Sequence, residues 1–121
     1  MEYDTYFTLE PEDFPGVRLS IYRMSLGRRI ELAKQVRTLG QRLEFLEASN
    51  KQTDQTEASL ITGEIDRMLL GWGLRGIEGL TINGTPATPE TLIGDGPETL
   101  CRVALAAIKS ECGLTGEERK N

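Results

Sequence analysis

The chain contains no histidine, the side chain that most often serves as a general base near neutral pH. Ser-His-Asp and Cys-His arrangements are thereby excluded. Cysteine is scarce: only Cys101 and Cys112 occur. On one helix these two would lie about 16 Å apart along the axis, beyond the roughly 7 Å Cα separation that a disulfide permits. Two cysteines without histidine do not make a usual zinc site, and core packing is the simpler role for both. No apolar run approaches the roughly 20 residues that span a bilayer. The opening Met1-Glu2-Tyr3-Asp4 is acidic and polar where a signal peptide is basic and then apolar. A cytoplasmic protein with no membrane partner is expected. A basic excess is missing too. The net charge of −5 argues against an electrostatically driven nucleic-acid binder.

What is present is a pattern of helices. A length of 121 residues predicts one domain. Between Arg28 and Trp72, Leu32, Val36, Leu39, Leu43 and Leu46 recur at spacings of four and three, as do Ala58, Ile61, Ile65, Met68 and Trp72. Each set lines one helical stripe that must be buried. The polar linker from Ser49 to Thr56 predicts antiparallel packing of the two stripes. Residues 25–72 thus read as a helical hairpin. Ser25 is the expected cap of its first helix, and Asp54 with Glu57 has the spacing of a capping box at the start of its second. Gly40 and Gly63 interrupt the two helices, each costing about 1 kcal/mol relative to alanine. A close approach to another element would explain them.

Around the hairpin, residues 1–24 predict two short antiparallel strands, Tyr3 to Leu9 and Val17 to Tyr22, which need the hairpin as backing. Residues 73–96 read as a turn-rich connection. Within it, Asn83-Gly84 marks a small hairpin of Leu80–Ile82 and Thr85–Ala87, and Thr88-Pro89 starts a helical turn. Residues 97–113 predict a last helix with Leu100, Val103, Ala104, Ala107 and Ile108 on its apolar stripe. Gly113 is its stop, with Leu114 folding back on Ile108. Residues 114–121 are expected to form a mobile charged tail. The fold class is mainly α with a small β component.

Candidate chemistry is thin. Gly71-Trp72-Gly73-Leu74-Arg75-Gly76 matches G-x-G-x-x-G by letter, but it follows an amphipathic helix and not a strand, so it reads as a turn. Glu10, Glu12 and Asp13 cluster in a loop, and Glu64 with Asp66 on a helix; neither set has metal-ligand spacing, and solvated carboxylates are the simpler reading. Arg23, Arg28, Arg29, Lys34, Arg37 and Arg42 crowd one segment. Interleaved Glu31, Glu44 and Glu47, with Phe45 the only nearby aromatic, make a charged outer helix face more natural than an RNA contact. Trp72 is either a core anchor or an exposed partner contact, the former favoured by its size. No catalytic, cofactor or metal residue is expected, and the chain does not read as an enzyme.

The succession Trp72 to Gly84, then Pro86 to Glu90, Leu92-Ile93, Gly96-Pro97-Glu98, and finally Leu114 with Glu117 to Asn121, resembles small tailed-bacteriophage or prophage tail assembly chaperones. Arg28-Arg29-Ile30-Glu31-Leu32 resembles the arginine-rich helical segment upstream in such proteins. The resemblance implies a non-enzymatic, mostly helical protein of the host cytoplasm that binds a tape-measure-type protein and tail tube subunits. Trp72, Leu114, Arg119 and Lys120 are the partner contacts expected on this basis. A helical hairpin with small residues and a charged tail is itself suited to helix-in-groove contact and to self-association, so a homo-oligomer is a further expectation. The competing roles are a structural subunit of the tail or neck and a small regulatory nucleic-acid binder.

Overall fold

The structure is a computed structural model, and it describes residues 1–113. As expected, the chain is mainly helical with a small β component. The described residues form two compact units: one from residues 1–24 with residues 69–113, the other from residues 25–68.

The first unit is built on a three-stranded antiparallel sheet in the order β1 (Tyr6–Leu9), β2 (Arg18–Tyr22), β3 (Leu74–Glu78). Tyr3, expected in the first strand, is exposed ahead of it. The register sets Phe7 opposite Ile21, Leu9 opposite Leu19, Leu19 opposite Ile77, and Ile21 opposite Leu74. Because alternate residues share a face, these six apolar side chains form one side of the sheet. Tyr6, Thr8, Arg18, Ser20 and Tyr22 form the other. Backing for the apolar side comes from the last helix, α4 (Glu98–Cys112), which packs on β2. Leu100, Ala104, Leu105, Ile108 and Cys112 are its buried residues. The N–H of Met24 donates to Glu111 Oε1 at 3.1 Å, tying the end of β2 to the end of α4. Both cysteines lie on α4 and neither forms a disulfide; Cys112 is buried and Cys101 partly so.

β3 is the element the sequence concealed, inside a segment that reads as turns. Its apolar Leu74 and Ile77 are three residues apart, which breaks the alternation of a strand. A register shift opposite Ser20 and Ile21 explains this: Ser20 faces Gly76 while Ile21 faces Leu74, leaving Arg75 as the extra residue. The bulge returns both apolar residues to one face. Arg75 lies with its guanidinium 3.9 Å above the Tyr6 ring.

The rest of this unit follows the local chemistry of its sequence. β4 (Thr81–Ile82) and β5 (Thr85–Pro86) pair through Asn83-Gly84, both at positive φ, as a tight primed turn requires. α3 (Pro89–Asp95) starts at Thr88, whose hydroxyl accepts from the Thr91 N–H while the Thr91 hydroxyl accepts from the Thr88 N–H. Gly113 closes α4 in the left-handed region at φ 76°. The Leu114 contact expected beyond it lies outside the described residues.

The second unit is the hairpin. α1 (Leu26–Glu47) starts at Ser25, whose side chain accepts from the Arg28 N–H as the sequence predicts. α2 runs over Gln52–Gly73, so its last turn, from Leu69 on, belongs to the first unit. Leu46, Ala58 and Ile61 are buried together, with Leu39, Leu43 and Ile65 packed against them. The two predicted stripes therefore do meet.

Two details differ from expectation. Asp54 does not cap α2. The helix starts at Gln52, and Asp54 sits inside the first turn, where a carboxylate suits the helix dipole. It accepts from Ser49 Oγ at 2.7 Å, and the same Oγ accepts from the Lys51 N–H. Gly40 and Gly63 have no close neighbour: a methyl group at either would meet nothing within 4 Å. Crowding does not explain them.

Candidate interaction surface

The hairpin unit exposes large apolar side chains on surfaces away from its seam. Leu26 is 77% exposed and Ile30 50%, four residues apart on α1 and so on one face of it. Phe45 is 73% exposed and Leu60 66%. These last two belong to longer stripes. On α1, Glu31, Lys34, Thr38, Arg42 and Phe45 follow at spacings of three and four; on α2, Glu57, Leu60, Glu64 and Arg67 do the same. An ion pair shows that both stripes lie on one flank of the hairpin: the Arg42 guanidinium bridges to Glu57, with Nε donating to Oε1 at 3.1 Å and Nη2 donating to the same oxygen. This hydrogen bond, with the charge of Glu57, holds Arg42 more firmly protonated than an isolated arginine. Phe45 and Leu60 sit on either side of the bridge, each three residues from one of its members.

No other constellation on the described surface is as organised. Glu10, Glu12 and Asp13 are all exposed. Glu64 and Asp66, two apart on a helix, point to different sides. Among the described residues no three His, Cys, Asp or Glu side chains are grouped to hold a metal. Within the basic segment, Arg42 pairs with Glu57, and Arg23, in the other unit, lies over the Phe7 ring at 5.2 Å. Gly71-Trp72-Gly73-Leu74-Arg75-Gly76 is not a turn. Its first half is the last turn of α2 and its second half enters β3 directly. Gly73 is small for a packing reason, since a methyl there would come within 2.8 Å of the Ile108 side chain.

Of the residues singled out in the sequence for partner contact, Trp72 alone lies among the described residues. Trp72 is half-buried in the last turn of α2, so neither a sealed core anchor nor a freely exposed one. Leu114, Arg119 and Lys120 lie outside the described residues. Sequence reasoning missed Leu26, Ile30, Phe45 and Leu60. The signal was there for the last two: each is an apolar residue recurring at helical spacing within an otherwise charged stripe.

Among the described residues no helix is long and apolar enough to cross a membrane. Comparison with known protein families, with characterised proteins and with solved structures finds no match to this chain.

Proposed function

We propose that this protein is a non-enzymatic assembly chaperone of a phage tail, acting in the host cytoplasm on a helical tape-measure-type protein and tail tube subunits. The observation that carries the proposal is the exposed apolar pair Leu26 and Ile30 on the first turns of α1. Two apolar residues four apart on an open helix face can take up the apolar stripe of a second helix. A long tape-measure protein has many such stripes and no core in which to bury them before a tail exists. The resemblance of Trp72 to Gly84 and of the chain's last residues to tail assembly chaperones supports the same role.

Co-expression with the tape-measure-type protein encoded by the same phage or prophage tests this. The two proteins are expected to co-purify and the tape-measure protein to stay soluble. Leu26→Glu with Ile30→Glu is expected to abolish co-purification while leaving the far-UV circular dichroism of the chain unchanged. Failure of the wild-type chain to bind ends the proposal. So does finding the chain as a stoichiometric part of mature particles, which would make it a structural subunit.

A further inference from the structure

The flank carrying Phe45 and Leu60 has a charge order that a second copy of this chain would complete. A two-helix hairpin closes only one side of its seam, and Leu39, Leu43 and Ile65 remain only partly buried. The flanking stripes are unequal in charge. That of α1 holds Lys34 and Arg42 against Glu31; that of α2 holds Glu57 and Glu64 against Arg67. Measured from the turn at Ala48–Lys51, Arg42 lies level with Glu57, Lys34 with Glu64, and Glu31 with Arg67, because each rise along α1 is matched by one along α2. If α1 of one copy lies beside α2 of the other with both turns at the same end, every one of these levels sets an acid against a base. With the turns at opposite ends, α1 faces α1 and α2 faces α2; at full overlap Arg42 meets Glu31 and Glu57 meets Arg67, but Lys34 and Glu64 face no opposite charge. Fewer levels are matched in that arrangement, which leaves the same-end one favoured.

We propose that this flank binds a second copy of the chain, forming a twofold four-helix bundle with the two turns at one end. Phe45 and Leu60, the large apolar side chains of the flank, are buried in it, and Arg42 and Glu57 gain a second partner each. The bundle geometry is the ordinary one for two hairpins, and the twofold axis makes the interface self-complementary. The proposal does not depend on the tape-measure role, which uses Leu26 and Ile30 on another face of α1.

Sedimentation velocity of the full chain over a range of concentrations tests it. The expected species is a dimer. Phe45→Glu and Leu60→Glu, both at exposed positions of the single chain, are each expected to weaken it by at least about tenfold while far-UV circular dichroism keeps its helical signal. Lys34→Glu is expected to weaken the dimer, and Lys34→Glu combined with Glu64→Lys to restore it. Lysine-reactive cross-linking of mixed isotopically labelled chains should join Lys51 in the turn to its counterpart in the second copy. A chain that is monomeric throughout overturns the proposal, as does a dimer indifferent to Phe45 and Leu60. A dimer without the Lys51 link overturns the same-end arrangement. Loss of tape-measure binding in the Leu26 and Ile30 variant with the dimer intact, or the reverse, separates the two proposals.

Discussion

Gly40 and Gly63 are helical glycines with open space where a side chain would go. Neither has a positive φ, so nothing in the backbone asks for glycine. Alanine at each is expected to stabilise the hairpin by about 1 kcal/mol, through helix propensity and the lower entropy of the unfolded chain. Urea unfolding of Gly40→Ala, Gly63→Ala and the double variant measures it, and a destabilised variant would show that a neighbour crowds the site. Gly79 is the opposite case. Its φ is +82°, and a methyl there would run into the Gly16 carbonyl. Cys101 offers a residue-scale prediction of another kind. Its Sγ donates to the Leu92 carbonyl at 3.5 Å. Burial, and then the nearby Glu98 carboxylate, push its thiol above the usual range, with Arg102 opposing them. Because the folded-state value is raised, the neutral thiol's contribution is complete below the unfolded-chain value. It is lost as pH rises through the folded one. Alkylation of Cys101 in a Cys112→Ala background is therefore expected to reach its half-maximal rate at higher pH in the folded chain than in urea. An equal midpoint in both states would remove the burial effect.

At the scale of elements, the hairpin is held by very few residues. Leu46, Ala58 and Ile61 are its central buried group. Replacing Ile61 by alanine is expected to cost about 2–4 kcal/mol, within the usual span for a large aliphatic side chain cut back in a core. The loss should appear as reduced helicity at 222 nm. Full retention would mean that the seam is not what joins α1 to α2. Elements whose spacing follows a single period were legible in the sequence: both stripes of the hairpin, the Ser25 and Thr88 caps, the Asn83-Gly84 turn and the Gly113 stop. β3 was not, because its bulge at Arg75 puts Leu74 and Ile77 at an interval that belongs to neither strand nor sheet turn. The backing of the sheet by α4 was not legible either. Periodicity shows that a stripe must be covered but not by which partner, and Leu105, outside the expected stripe of α4, is buried all the same. The candidate surface stayed hidden for a related reason. Phe45 and Leu60 look like noise in charged stretches until the Arg42–Glu57 bridge places their two stripes on one flank.

For the whole molecule, the division into two units predicts two levels of stability. Residues 25–68 bury only Leu32, Leu46, Ala58 and Ile61 among their apolar side chains. The other unit buries Val17 just before β2 and Leu19 and Ile21 within it, Leu69, Leu70 and Leu74 around the start of β3, and the α4 set besides. Apolar burial contributes about 25 cal/mol per Å² removed from water, so the hairpin should open at a lower free energy than the sheet. Native-state hydrogen exchange resolves this. The amides of Leu19 and Ile21, in a central strand bonded on both sides, are expected to exchange only through global unfolding. Amides between Arg37 and Ile61 should exchange through an opening at least about 2 kcal/mol easier, as a separate cooperative unit. The same measurement reports on self-association. A second copy that binds the folded hairpin and not the open one stabilises it by mass action. Protection between Arg37 and Ile61 should then rise with protein concentration while that of Leu19 and Ile21 rises less or not at all. If both sets slow together, the units open as one. If neither responds to concentration, the hairpin is complete without a second copy, and its exposed phenylalanine and leucine need another explanation.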